Sequence, residues 1–153
     1  DLAADPEVRA VLSSLHDAPT LLDEVAAAVA AVHLAADSFG SLHLVTGTRA
    51  IRAVGALADD DTARELRHRT AEAIAVLWLS FGAPRPADDA TLDRVRRRPT
   101  PGWDTIGRAA IGSGDAHVVK LVYAARMEEA TTGDPLYRSL AARQAGLDRA
   151  DVA

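Results

Sequence analysis

Apolar positions along this chain recur at the three-to-four-residue spacing of helices, and no run of β-branched residues alternates with polar ones as a half-buried strand would. The pattern predicts an all-α, irregular bundle of about seven helices. Asp5 and Pro6 open a helix to about Leu15. A second follows Thr20 to about Ala36, and a third, capped by Asp37 or Ser38, carries FGSLHLVTGTRAIRAVGAL. A fourth runs from Asp61 to Phe81, where Gly82, Pro84 and Pro86 end it. Two short helices are expected at Thr91 to Arg97 and from Trp103 over WDTIGRAAI. A helix capped by Asp115 stops near Gly133, and Asp134-Pro135 opens the last, to about Gln144. Residues 1–153 read as one α-helical domain or the C-terminal portion of one.

The stretch Asp115 to Ala130, DAHVVKLVYAARMEEA, is the most apolar helix and holds the only lysine, Lys120. Apolar neighbours on nearly every side imply burial, and burial favours the neutral amine in which lysine does chemistry. His117 lies one turn before it on the same face. The plainer alternatives are that Lys120 reaches solvent or pairs with Glu128, and that His117 is a hydrogen-bonded core residue.

Composition narrows the function classes. The chain is rich in alanine and has 4% aromatic residues, so its core should be built by close helix packing. A net charge of −5 gives no reason to expect a nucleic-acid partner, and Arg94, Arg96, Arg97 and Arg98 read as a solvated helix end. The absence of cysteine excludes disulfides, thiolate metal sites and a cysteine nucleophile. No apolar run is long enough to cross a bilayer and no signal-peptide pattern opens the chain, so a cytoplasmic protein without a membrane partner is expected. Because the chain starts at Asp1 without methionine, residues upstream are expected to be missing.

Histidine supplies the candidate chemistry. His33 and His43 flank a tight interhelical turn, and with His117 and Lys120 they could form a nitrogen-rich metal site suited to iron, zinc, copper or nickel. His43, Gly47, Ala50 and Val54 make a narrow stripe with room beside the imidazole, and Arg49 and Arg52 are expected to lie away from it. His16 at a helix end and His68, exposed between Arg67 and Arg69, are expected to be dispensable. The glycines of IGSGDAH lack the strand of a phosphate loop, and no serine has a nucleophile-elbow setting.

Four segments together resemble the C-terminal part of the questin oxidase-like family: SLHLVTGTRAIR at Ser41 to Arg52, Trp103 with Ile106 and Ala110, DAHVVKLVYA at Asp115 to Ala124, and GDPLYRSLAAR at Gly133 to Arg143. The resemblance spans about His33 to Arg143. It implies a longer complete enzyme that cleaves a ring of an anthraquinone-type aromatic polyketide by inserting oxygen from O2. It also implies a mononuclear non-haem iron held by histidines and an N-carboxylated lysine, for which His33, His43 and Lys120 are the matching positions. His117 is a further ligand or a catalytic group beside the metal. Arg49 and Arg52 are possible contacts to phenolate or carboxylate groups. Two other readings stay open: a metal-free, NADPH-dependent Baeyer-Villiger-type oxygenase, and a non-enzymatic helical binding module. The apolar helices further imply an exposed apolar face that pairs with upstream sequence or a second copy.

Overall fold

The computed structural model of the chain describes residues 18–147, and every regular element among them is helical. The helices are α1 (Leu21–Ala36), α2 (Phe39–Gly55), α3 (Asp60–Ser80), α4 (Asp89–Arg97), α5 (Trp103–Gly112), α6 (Ala116–Thr132) and α7 (Leu136–Gln144). The expected all-α irregular bundle is what forms. The helix expected over Pro6 to Leu15, and His16, lie outside the described residues.

Short polar side chains set most of the helix starts, by satisfying amides that have no partner within the helix. Asp59, Asp88 and Asp115 accept from the backbone N–H groups of Thr62, Thr91 and His117. Ser38 and Ser41 form a reciprocal capping box at α2. Thr20 does not cap α1: its hydroxyl donates to Glu24 Oε1 at 2.8 Å instead. Asp37 adopts φ 41 and closes α1 by donating its N–H to the His33 carbonyl, so α1 and α2 are joined by two residues. At the end of α6, Gly133 takes φ 73, which a residue without Cβ adopts freely, and its N–H reaches the Glu129 carbonyl at 2.7 Å.

The core has two parts, and α6 contributes to both. Val118, Val122 and Ala125 pack with Ile106, Ala110, Leu136, Tyr137 and Leu140 from α5 and α7. Leu121 packs with Val29, Val32, Leu42, Leu44 and Val45 from α1 and α2. Polar contacts fix the periphery. Glu129 accepts from the Trp103 indole at 2.8 Å and pairs with Arg138, tying α5, α6 and α7 together. Arg96 forks onto Asp134 and so holds α4 at the start of α7.

Large apolar side chains do remain exposed, among them Leu57 at 90%, Ile111, Phe39 and Tyr123. The expectation for Lys120 needs correcting. Val119, Lys120 and Tyr123 form an exposed strip of α6. The helix looks apolar all round because two cores take two of its sides, while the third faces out.

Leu121 is fully buried where α6 meets α1 and α2. Leu121→Ala should cost about 3 kcal/mol through lost transfer energy and the cavity left behind. Urea unfolding monitored by circular dichroism measures this, and a loss below about 1 kcal/mol would mean that the α6 contact with the second core is not a principal support.

Candidate functional site

The histidines expected to act together separate into two places. His33 is 4% exposed at the end of α1, and its Nδ1 is 2.8 Å from Ser41 Oγ. Ser41 in turn accepts from the Ser38 N–H and donates to the Ser38 carbonyl. His33 therefore locks the α1–α2 turn. His43 follows Ser41 by two residues, which is about 200° around a helix of 3.6 residues per turn, so it points to the opposite side of α2. That rotation is why the pairing of His33 with His43 expected across the turn does not form.

His43 meets His117 instead. The two imidazole centroids are 5.8 Å apart, with the Phe39 ring against both at 4.3 and 5.1 Å. Each ring is oriented through Nδ1. His43 Nδ1 lies 2.8 Å from the Phe39 carbonyl oxygen, and His117 Nδ1 lies 3.2 Å from Asp115 Oδ1. The Asp115 carboxyl is held below its ordinary range, chiefly by the His117 backbone N–H that it accepts, and so stays anionic beside the ring. A carbonyl or carboxylate on Nδ1 leaves Nε2 as the lone-pair nitrogen of a neutral ring. Both histidines thus carry the outer hydrogen bond that commonly orients metal-binding imidazoles.

Below this pair, α2 and α6 enclose an open groove of about 400 Å³. His43 and Lys120 line it, Gly47, Ala50 and Ala124 form its small-residue floor, and Tyr123 stands along it, 61% exposed. The stripe of small residues after His43 is therefore one wall of a real concavity. Arg49, expected to lie away from that stripe, also lines the groove.

Beyond the groove, past Arg49, lies a buried carboxylate. Glu128 is 1% exposed. Its partners are not Lys120 but Arg52, whose Nε donates to Oε1 at 3.1 Å, and Arg49, 3.7 Å from the same oxygen. Arg52 also donates to Asp23 at 2.7 Å and to the Leu22 carbonyl at 3.3 Å, which attaches α1 to the same point. Burial and the nearby Glu128 carboxylate push the Tyr137 phenol well above its ordinary value, keeping it neutral. His68, expected to be exposed, is half-buried, with Nε2 3.5 Å from Glu72.

A second concavity, about 280 Å³ between α1, α2 and α3, is lined by apolar residues such as Val29, Leu44, Ile74 and Trp78. The Trp78 indole N–H is committed to the Pro84 carbonyl. It holds no titratable side chain, whereas the α2–α6 groove is lined by His43, Arg49 and Lys120. Among the described residues, no three histidine, aspartate or glutamate side chains gather as a metal cage, so any metal at His43 and His117 needs a ligand of another kind. The chain matches no protein-family model, no curated protein and no solved structure.

Burial holds the His33 imidazole below its ordinary value of 6.5, against the opposing pull of Asp37 and Gln144 and with reinforcement from Arg143. The unfolded chain then takes up this proton first as pH falls. The stability that neutral His33 contributes is complete above about pH 6.5 and is lost as pH drops through that value towards the lowered folded one. Unfolding free energy should fall between about pH 7.5 and 5.5, and His33→Gln should flatten that slope. Urea titrations at several pH values check this, and an unchanged slope would assign the dependence to other groups.

Proposed function

We propose that this chain is part of an oxygenase resembling the questin oxidase-like enzymes, opening a ring of an aromatic polyketide at a mononuclear non-haem iron held between α2 and α6. The observation that carries the reading is the meeting of His43 and His117, each anchored through Nδ1 with Nε2 left over, beside the groove that His43 and Lys120 line. With metal–nitrogen distances of about 2.1 Å and a ring centre about 1.1 Å beyond the nitrogen, two imidazoles on one ion have centroids up to about 6.4 Å apart. The 5.8 Å separation falls within that limit.

The residues fit a two-imidazole site completed by an oxygen donor. Carboxylated Lys120 is the group that would supply it, on the pattern of two histidines and one carboxylate that leaves positions open on iron. Carboxylation joins Nζ of the free amine to the carbon of carbon dioxide with loss of one nitrogen-bound proton, giving an anionic carbamate. The exposure of Lys120 admits carbon dioxide and bicarbonate without rearrangement of the fold. His33, a ligand by the resemblance, has a structural role in this reading.

Iron, when bound, supplies the binding and activation of dioxygen. The chain supplies position. The Phe39 carbonyl and Asp115 hold the two imidazoles in one tautomer, Phe39 fixes the angle between them, and the small residues of the floor let a flat ring lie against α2. Tyr123 offers that ring an aromatic surface.

Metal analysis of protein reconstituted with ferrous iron and bicarbonate tests the proposal. About one iron per chain is expected, with His43→Gln and His117→Gln each reducing retention at least tenfold, the scale on which metal-site substitutions act. Lys120→Ala should stay folded, lose iron, and regain part of it with a short carboxylic acid. His33→Gln should keep iron. Iron bound equally by the His43→Gln and His117→Gln variants, or lost from a folded His33→Gln variant, would overturn the assignment.

A further inference from the structure

We propose that the α2–α6 groove binds a flat aromatic molecule bearing a carboxylate, and that Arg49 is the residue that holds the carboxylate. The inference rests on the reading that this groove receives the substrate, but not on the metal.

The two arginines near Glu128 are in different states. Arg52 is fully engaged, with one nitrogen on Glu128, one on Asp23 and one on the Leu22 carbonyl. Among the described residues, Arg49 pairs with Glu128 at 3.7 Å, too long for a hydrogen bond, and its side chain is 15% exposed. Its guanidinium lines the groove and its nitrogens keep access to solvent, so a ligand entering the groove can take the place of water on them. Glu128 keeps Arg52 if Arg49 turns to a ligand, so the move leaves no buried carboxylate without a counterion.

The groove states the sign and shape of that ligand. No acidic residue lines it, and its charged members are Arg49 and Lys120, in a chain whose net charge is −5. With Lys120 carboxylated, Arg49 is the remaining cationic side chain of fixed charge. A guanidinium is a planar fork of parallel donors, which matches the two coplanar oxygens of a carboxylate. Gly47, Ala50, Ala53 and Ala124 offer nothing longer than a methyl group, and Tyr123 presents its ring beside them, so the body of the ligand is flat and unsaturated.

Calorimetric titration of the metal-stripped full chain with 2-naphthoate and with 2-naphthamide separates the carboxylate from the ring that carries it. The wild type should bind naphthoate at least tenfold more tightly than the amide. Arg49→Gln should bring the two within about threefold, as expected when one charge-assisted contact is lost. Arg49→Lys, which keeps the charge and loses the fork, should retain only part of the preference and decides the matter if the glutamine variant is unfolded by circular dichroism. The titration is made without metal, whereas the iron reading is tested by metal retention, so failure of the metal reading and failure of this one are told apart. Equal affinity for the two probes, no binding of either, or a preference unchanged in the folded Arg49 variants would overturn the proposal.

Discussion

The arrangement of this chain depends on how one buried carboxylate is neutralised. Glu128 lies at 1% exposure in the middle of the bundle, where an unpaired charge would cost several kcal/mol. Arg52 resolves this from α2 and at the same time reaches Asp23 and the Leu22 carbonyl of α1. A single guanidinium thus fixes three helices relative to one another. Glu128 Oε2 has no partner, so the compensation is one-sided. Truncating Arg52 would leave the charge with only the distant Arg49, whereas exchanging both groups for apolar ones of similar shape could be nearly neutral, because the pair's main effect is on alignment.

That alignment creates the groove. His43 meets His117 near the starts of α2 and α6, and Arg52 meets Glu128 further along both, so the two helices run parallel with a polar contact at each end. The contacts are nine residues apart on α2 and eleven on α6, or about 14 to 17 Å at 1.5 Å per residue. Between them, α2 contributes Gly47 and Ala50, side chains too short to fill the gap. Two helices held at both ends and starved of side chains in the middle must leave a trough. Its polar ends and apolar floor follow from the same construction.

Parallel neighbours need a long connection, here the sixty residues from Ala56 to Asp115 that hold α3, α4 and α5. The sequence therefore disclosed the helices but not their pairing. Caps and terminators such as Ser38, Asp115 and Gly133 act within a few residues, and they could be read directly. So could the small-residue stripe after His43. The meeting of His43 with His117, and of Arg52 with Glu128, joins residues more than seventy positions apart and is set by packing alone. The burial expected for Lys120 failed for a related reason. A helix shared by two cores carries apolar residues on two sides, and its pattern resembles that of a helix enclosed on all of them. His33 and His43 sat close in sequence, but a two-residue turn followed by a 200° rotation put them on opposite sides of α2.

The exposure of Lys120 changes what the proposed site demands of its chemistry. A lysine deep in an apolar core would be driven to the neutral amine by desolvation before any metal arrived, and its carboxylation could precede metal binding. Lys120 is instead exposed. Its carbamate would persist chiefly because a cation between His43 and His117 holds the new oxygens. Carboxylation and metal binding would then be linked: carbon dioxide would strengthen the hold on the metal by the same factor as the metal strengthens carboxylation. The two imidazoles, oriented beforehand by Phe39 and Asp115, are the permanent half of such a site, and the lysine is its conditional half. In this proposal Arg49, whose charge depends on neither carbon dioxide nor metal, would keep the groove attractive to anions in both states.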